Sequence, residues 1–212
     1  MAFSLVTHAI GSASDTATPA ATTTGSTLIV VANVSAFSTG LGTLSDSKSN
    51  TWTALTTWGA VGPYFVRMSY CLNPTVGTGH TFSTTGTSGN PGIAMIAFSG
   101  TVGAKEIDVG ASGATAPGSA TPAQNNEVLV TALVATEGGG SASVSSGFAI
   151  SDYLSWNSAV GAGIGLAYLI QTTATAANPT WSGGSPALIS TDCSVAMTSF
   201  QAATTNGFFN FM

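Results

Sequence analysis

An apolar run of eight residues, LIVVANVS at Leu28–Ser35, returns as VLVTALVA at Val128–Ala135, 128 − 28 = 100 positions later. The echo continues in order. Tyr70 is answered by Tyr168 and Trp58 by Trp156, each 98 apart, Phe82 by Trp181 at 99, and Ala94–Phe98 by Ala196–Phe200 at 102. Offsets that drift so little over so long a span mark one duplicated unit with small loop changes. Self-similarity of this kind limits the architecture before any local propensity does.

The repeated runs are continuous and β-branched, which suits strands buried on both faces. Tyr64–Leu72 alternates, with Val66, Met68, Tyr70 and Leu72 on one face and Arg67, Ser69 and Cys71 on the other. No stretch carries the helical period with caps. The expectation is an all-β chain: a jelly-roll-like antiparallel β-sandwich built from two pseudo-repeats. It forms a single domain over 1–212, with repeat one at about 27–100, a linker at 101–126, repeat two at about 127–201 and an aromatic tail at 202–212. A unit of roughly 90 residues is small for an independent core. The copies are therefore expected to share one sandwich about a pseudo-two-fold axis, their central strands facing or pairing. The linker offers one short strand candidate, Lys105–Val109.

Charged residues make up 5% of the chain and Lys48, Arg67 and Lys105 are its only basic side chains, giving a net charge of −5. That balance excludes a nucleic-acid groove, which needs clustered cations, and equally an anionic membrane surface. No apolar run approaches the roughly 18 residues of a membrane span. With 44% hydrophobic residues the chain is not of the disordered class. Its surface must be Ser, Thr, Gly, Ala and Asn, with little charge repulsion to keep copies apart, which points to assembly. The start, MAFSLVTHAIGSASD, lacks the basic opening of a secretory signal, so synthesis in a cytoplasm is expected. Cys71 and Cys193 lie on apolar strands and read as buried free thiols, with a pairing left open.

Candidate chemistry is sparse. His8 and His80 are the only histidines, and no nucleophile-elbow, zinc-protease or Cys/His metal spacing occurs. Glu106 and Asp108 share a strand face by spacing but fall in the linker, where solvation explains them. Asp46, Ser47 and Asn50 offer hard oxygens for calcium, yet one carboxylate in a turn suits an Asx turn better. No cofactor or metal is expected. Trp58, Tyr64, Tyr153 and Trp156 lie at loop edges and could stack on sugars, against a plain packing role. The tail carries Phe208, Phe209, Phe211 and Met212, uncharged after Gly207. Such a segment folds back as an edge strand or docks on a neighbouring subunit.

Ser45-Asp46-Ser47-Lys48-Ser49-Asn50-Thr51-Trp52-Thr53, then Met68-Ser69-Tyr70, Asn73-Pro74-Thr75-Val76-Gly77 and Ala97-Phe98-Ser99-Gly100, resemble a recurrent β-sandwich module. The module occurs in tailed-phage virion proteins and bacterial surface proteins. It has glycine where this chain has Ser49, and the resemblance covers about residues 27–100 and, more faintly, the second copy. It implies a virion or cell-surface protein without catalytic apparatus. The expected function is a capsid decoration protein, a homotrimer bridging major capsid subunits and made in the host cytoplasm. The alternative is a carbohydrate-binding module or a tail-fibre or adhesin domain.

Overall fold

A computed structural model describes residues 2–12, 19–37, 40–59, 64–85, 89–135, 140–155, 162–183, 188 and 193–203. Those residues contain strands and no helix. The first unit runs through β1 (Ser4–Ser12), β2 (Ala20–Ala21), β3 (Leu28–Ala36), β4 (Thr43–Asp46), β5 (Thr53–Trp58), β6 (Tyr64–Leu72), β7 (His80–Thr85) and β8 (Asn90–Ser99). The second runs through β9 (Val102–Ser112), β10 (Glu127–Ala135), β11 (Ala142–Val144), β12 (Ala149–Leu154), β13 (Gly163–Gln171), β14 (Trp181–Gly183) and β15 (Cys193–Ala202).

Each unit makes its own five-stranded antiparallel sheet, in the matching orders β1-β8-β3-β6-β5 and β9-β15-β10-β13-β12. The duplication is visible in the register itself. Leu28 lies between Leu72 and Phe98, and Val128 between Ile170 and Phe200. The differences are 128 − 28 = 100, 170 − 72 = 98 and 200 − 98 = 102, the same offsets that the sequence shows. Small outer sheets, β2-β7-β4 and β11-β14, cover the two units on their far sides. Within unit one the pairs β1–β8, β2–β7 and β3–β6 nest in the jelly-roll manner.

This layering explains why β3 and β10 are largely apolar and buried at every position, the polar exceptions being Asn33 and Ser35 on β3 and Glu127 and Thr131 on β10. Leu28, Val30, Ala32 and Val34 meet Val128, Val130, Ala132 and Val134 in a central core between the large sheets. The alternate residues Ile29 and Val31 face outward under Phe82, and Leu129 and Leu133 face outward under Trp181. Fully burying each such side chain is worth roughly 1.5–3 kcal/mol. The polar residues on these strands find partners, Asn33 Nδ2 donating to the Gly42 carbonyl and Thr131 Oγ1 to the Ala196 carbonyl, each at 3.0 Å. Two edge-on ring pairs straddle the central core as pseudo-two-fold mates. Tyr70–Phe200 has centroids 5.0 Å apart at 66°, and Phe98–Tyr168 5.5 Å apart at 64°.

One open alternative is decided and two expectations change. The central strands β3 and β10 face each other across the core and do not pair, since each is flanked by strands of its own unit. Residues 101–126 are no free linker, because β9 fills much of that span as the leading strand of unit two and pairs with β15 as β1 pairs with β8. Finally, Trp58 pairs with Val66 and Leu154 with Ile164, so the ladder matches Trp58 to Leu154, 154 − 58 = 96, rather than to Trp156.

Candidate functional site

Three of the four aromatic side chains singled out for sugar stacking, Trp58, Tyr64 and Tyr153, are engaged in packing. Trp58 is half-buried against the central core, and its indole leaves room for no side chain at Gly110. A Cβ there would lie 2.6 Å from Cδ1 and Nε1. Tyr64 packs edge-on against Phe37 with centroids 6.0 Å apart. Phe37, at φ 56°, is the one large apolar side chain more than half exposed among the described residues. Tyr153 belongs instead to the outer core of unit two, where burial first and the nearby Cys193 second push its phenol up to about 12. The three do not form one stacking platform. Trp156 and the tail residues Phe208, Phe209, Phe211 and Met212 lie outside the described residues.

Polar chemistry gathers in two places. Under the outer sheet of unit one, the Asp46 carboxylate is fully buried. Its Oδ1 accepts from the backbone N–H of Lys48 at 2.6 Å, and its Oδ2 from Trp52 Nε1 at 2.6 Å. Asn50 donates to Oδ1 through its backbone and its side chain, each at 3.4 Å. Asn50 then reaches Thr75, accepting from its N–H at 2.7 Å and donating to its carbonyl at 3.0 Å. The Asx turn expected at Asp46 is therefore present, and it leaves the carboxylate occupied by donors rather than open to calcium.

His80, also fully buried, stacks on Phe82 at 4.3 Å with Nε2 3.1 Å from Asp46 Oδ1 and Nδ1 2.9 Å from Thr23 Oγ1. The Nε2–Asp46 approach is close in distance but poorly aligned as a hydrogen bond. Burial lowers the His80 pKa below its ordinary 6.5, outweighing the opposite pull of Asp46. A neutral ring with its proton on Nε2 and Nδ1 accepting from Thr23 fits this environment; the tautomer is inferred from the bonding.

The second place is in unit two. Glu127 opens β10 and is fully buried, with Gln171 on β13 and Gln201 on β15 as its cross-strand partners. Glu106, half-buried on β9, accepts from the Ala123 N–H at 2.6 Å and from Gln201 Nε2 at 3.4 Å. The pairing of β9 with β15 is irregular between Thr198 and Phe200, where Thr198 Oγ1 donates to the Ile107 carbonyl at 2.8 Å and Ile107 N–H donates to Ser199 Oγ. That irregularity brings Glu106 to Glu127. Two carboxylate oxygens cannot hydrogen-bond unless one holds a proton. Neither Glu127 oxygen meets a well-aligned donor, although Ser199 and the Gln124 N–H lie near enough to favour the ionised form in part. Burial, then the Glu106 contact, pushes Glu127 up to about 7, while hydrogen bonding, first from Glu127, lowers Glu106.

The remaining candidates clasp the edges of the large sheets. His8 Nδ1 lies 3.0 Å from Asp152 Oδ2, joining β1 to β12. Asp108 Oδ2 accepts from Thr56 N at 3.1 Å and Thr56 Oγ1 at 2.9 Å, joining β9 to β5. Glu106 and Asp108 therefore serve different contacts and make no catalytic pair. A groove of about 460 Å³ lies over the start of β5 and the end of β6, lined by Ser49, Asn50, Thr51, Thr53, Tyr70 and Asn73 among others. Cys71 and Cys193 are both buried and are not joined in a disulfide, and burial raises the pKa of Cys71. Among the described residues no group of three or more His, Cys, Asp or Glu could hold a metal.

Sequence reasoning passed over Glu127. Its signal lay in the duplication: Thr27 stands at the matching place, 127 − 27 = 100, so a carboxyl has replaced a hydroxyl at the head of an otherwise apolar strand. No family model, curated protein or solved structure matches this chain.

Proposed function

We propose that the chain is a non-enzymatic structural protein of a tailed-phage virion, specifically a capsid decoration protein. It sits as a homotrimer on the outer shell and bridges major capsid subunits. The observation that supports this reading is where the ionisable groups are spent. All five carboxylates among the described residues, Asp46, Glu106, Asp108, Glu127 and Asp152, and both histidines engage partners within the chain. What faces outward is mostly neutral hydroxyl, amide and small apolar surface. Such surface can be buried against a neighbour without the desolvation penalty of unpaired charge. Repeated over a lattice, the added contact stabilises the shell passively. The test is to add purified protein to shells lacking it. Saturable binding with a raised disruption temperature supports the reading, and absence of binding overturns it.

The groove over β5 and β6 favours a second reading, binding of a neutral glycan. Its lining is mostly hydroxyl and amide, with Cys71, Leu72 and one aromatic, Tyr70, and hydroxyls and amides beside an aromatic ring are the chemistry that sugars meet. Thr53, at its exposed rim, is the discriminating position. A glycan-array signal lost in Thr53→Tyr, with folding unchanged, supports this reading over the first.

A further inference from the structure

The exchange of Thr27 for Glu127 between the units is an exchange of chemistry. Thr27 Oγ1 donates to the Gly100 carbonyl at 2.8 Å and is content as a neutral hydroxyl. Glu127 brings a fully buried carboxyl to the same place, opposite Gln201, whose Nε2 also meets the carboxylate of Glu106 at 3.4 Å. We propose that Glu106 and Glu127 share one proton, and that this proton is a pH-operated latch tying the 121–126 segment and the first half of β9 to the head of β10.

With the proton in place, the Glu127 hydroxyl donates to the Glu106 carboxylate. Glu106 at the same time holds the Ala123 N–H and the Gln201 side chain. When the proton leaves to water, two like charges stand side by side at a buried position. Among the described residues no cation acts on either carboxyl, Lys105 standing next to Glu106 on β9 opposite Phe200. On β13 the facing side chain is Gln171, whose Nε2 is committed to Thr175 and whose Oε1 is itself buried without a donor. On β15 the facing groups are Ser199 and Gln201, and from the 121–126 segment the backbone N–H of Gln124. Glu106 is the one charged group that acts on Glu127 among the described residues. The ionised pair must therefore separate. Glu106 is half-buried and Glu127 fully buried, so Glu106 is the member that can swing to water. That motion gives up its bond to Ala123 and loosens the segment above it. The edge strand β9 is affected too, and β9 also carries the Asp108 clasp on β5.

The experiment is hydrogen exchange on the full chain at about pH 5.5 and about pH 8.5, corrected for the intrinsic pH dependence of amide exchange. Each pH unit above the titration point weakens the latch about tenfold. Peptides covering 102–108 and 120–127 should exchange about tenfold or more faster at the higher pH, while β3 peptides do not change. Glu127→Gln, which keeps a neutral donor, should remain protected at both values, and Glu106→Gln should lose most of the pH response. Equal protection of the wild type at both pH values overturns the latch. So does an undiminished pH response in both variants. Recovery of the protected state at high pH on adding calcium, in wild type only, would make a cation rather than a proton the occupant and would also overturn it.

Discussion

The outer layers of the two units occupy matching places and are filled with opposite chemistry. In unit one the ladder sets Asp46 opposite Phe82, and in unit two it sets Val144 opposite Trp181. Trp52 precedes β5 where Phe148 precedes β12, and buried His80 stands where buried Pro179 stands. A polar knot in one copy is thus an apolar plug in the other. The outermost hydroxyl pairs remain alike, Ser45–Ser83 at 2.9 Å and Ser143–Ser182 at 2.7 Å. Bulk is traded in the same way. Trp181 is larger than Phe82, and Gly165 makes room for it where unit one has Arg67; Trp58 is larger than Leu154, and Gly110 makes room for it where β1 has Ile10. A duplicated β unit holds its hydrogen-bond register and its filled volume, while the identities that fill it are free to exchange.

The largest break in this comparison comes from Asp46→Ala. It leaves the half-buried Trp52 indole and the Lys48 amide without their acceptor and removes the carboxylate beside His80 Nε2, and unfolding free energy should fall by about 3–5 kcal/mol. Val144→Ala at the matching place removes only half-buried methyls and should cost about 1 kcal/mol. Chemical denaturation of the two variants measures the difference, and equal losses would mean that the polar knot is no more demanding than the apolar plug.

The pH response should separate the units by sign. His80 is lowered from 6.5, so as pH falls the unfolded chain takes up the proton first. Its contribution is present above about pH 6.5 and is lost as pH falls below that value. Glu127 is raised from 4.5 to about 7, so as pH rises the unfolded chain releases the proton first. Its contribution is present below about pH 4.5 and is lost as pH rises toward about 7. At about pH 8, Glu127→Gln should therefore stabilise the protein, by up to about 3 kcal/mol. A melting temperature unchanged at that pH would show that the buried acid carries no such penalty.

Gly165→Ala sets a methyl 2.8 Å from Trp181 Cζ3 and should cost about 1–3 kcal/mol. Combining it with Trp181→Phe, the ring that unit one uses, should recover part of the loss in a double-mutant cycle. Simple additivity would show that the two positions do not trade volume. The smallest effect is Ser49→Gly. Ser49 sits at φ 58°, a conformation that glycine adopts freely, and glycine there should raise stability by about 0.5–1 kcal/mol. No gain would mean that the Ser49 side chain offsets its backbone strain.

Much of the sheet could be read from the chain because alternation and continuous apolar runs report burial directly. Tyr64–Leu72 is expected and found with the same ends, and Leu28–Ser35 differs by a single residue. The short strands β4 and β11 escape such reading. Thr43–Asp46 looks like a turn because Ser and Asp favour turns, and its pairing partner Thr85 lies 42 residues away, 85 − 43. β9 was legible only at Lys105–Val109, since the Gly, Ala and Ser around it carry no pattern and its ladder is supplied by β15. The match of Trp58 to Trp156 fails because the turn from Asp46 to Thr53 is two residues longer than the turn from Val144 to Ala149. The offset therefore drops from 144 − 46 = 98 to 149 − 53 = 96 before β5 begins, and the one-residue register shifts in β5 and β12 cancel. A tryptophan repeated near the right distance cannot reveal a change of turn length upstream of it.

By itself the chain determined the all-β class, the duplication and its offsets. Hydrophobic periodicity and repetition are local properties, and burial must answer to them whatever the final arrangement. Only the tertiary structure decided which carboxyls meet. Glu106 and Glu127 are 127 − 106 = 21 residues apart and sit on strands separated by β15. A contact of that kind is set by strand order and by an irregular register, both of which arise from cooperative packing of the whole sheet.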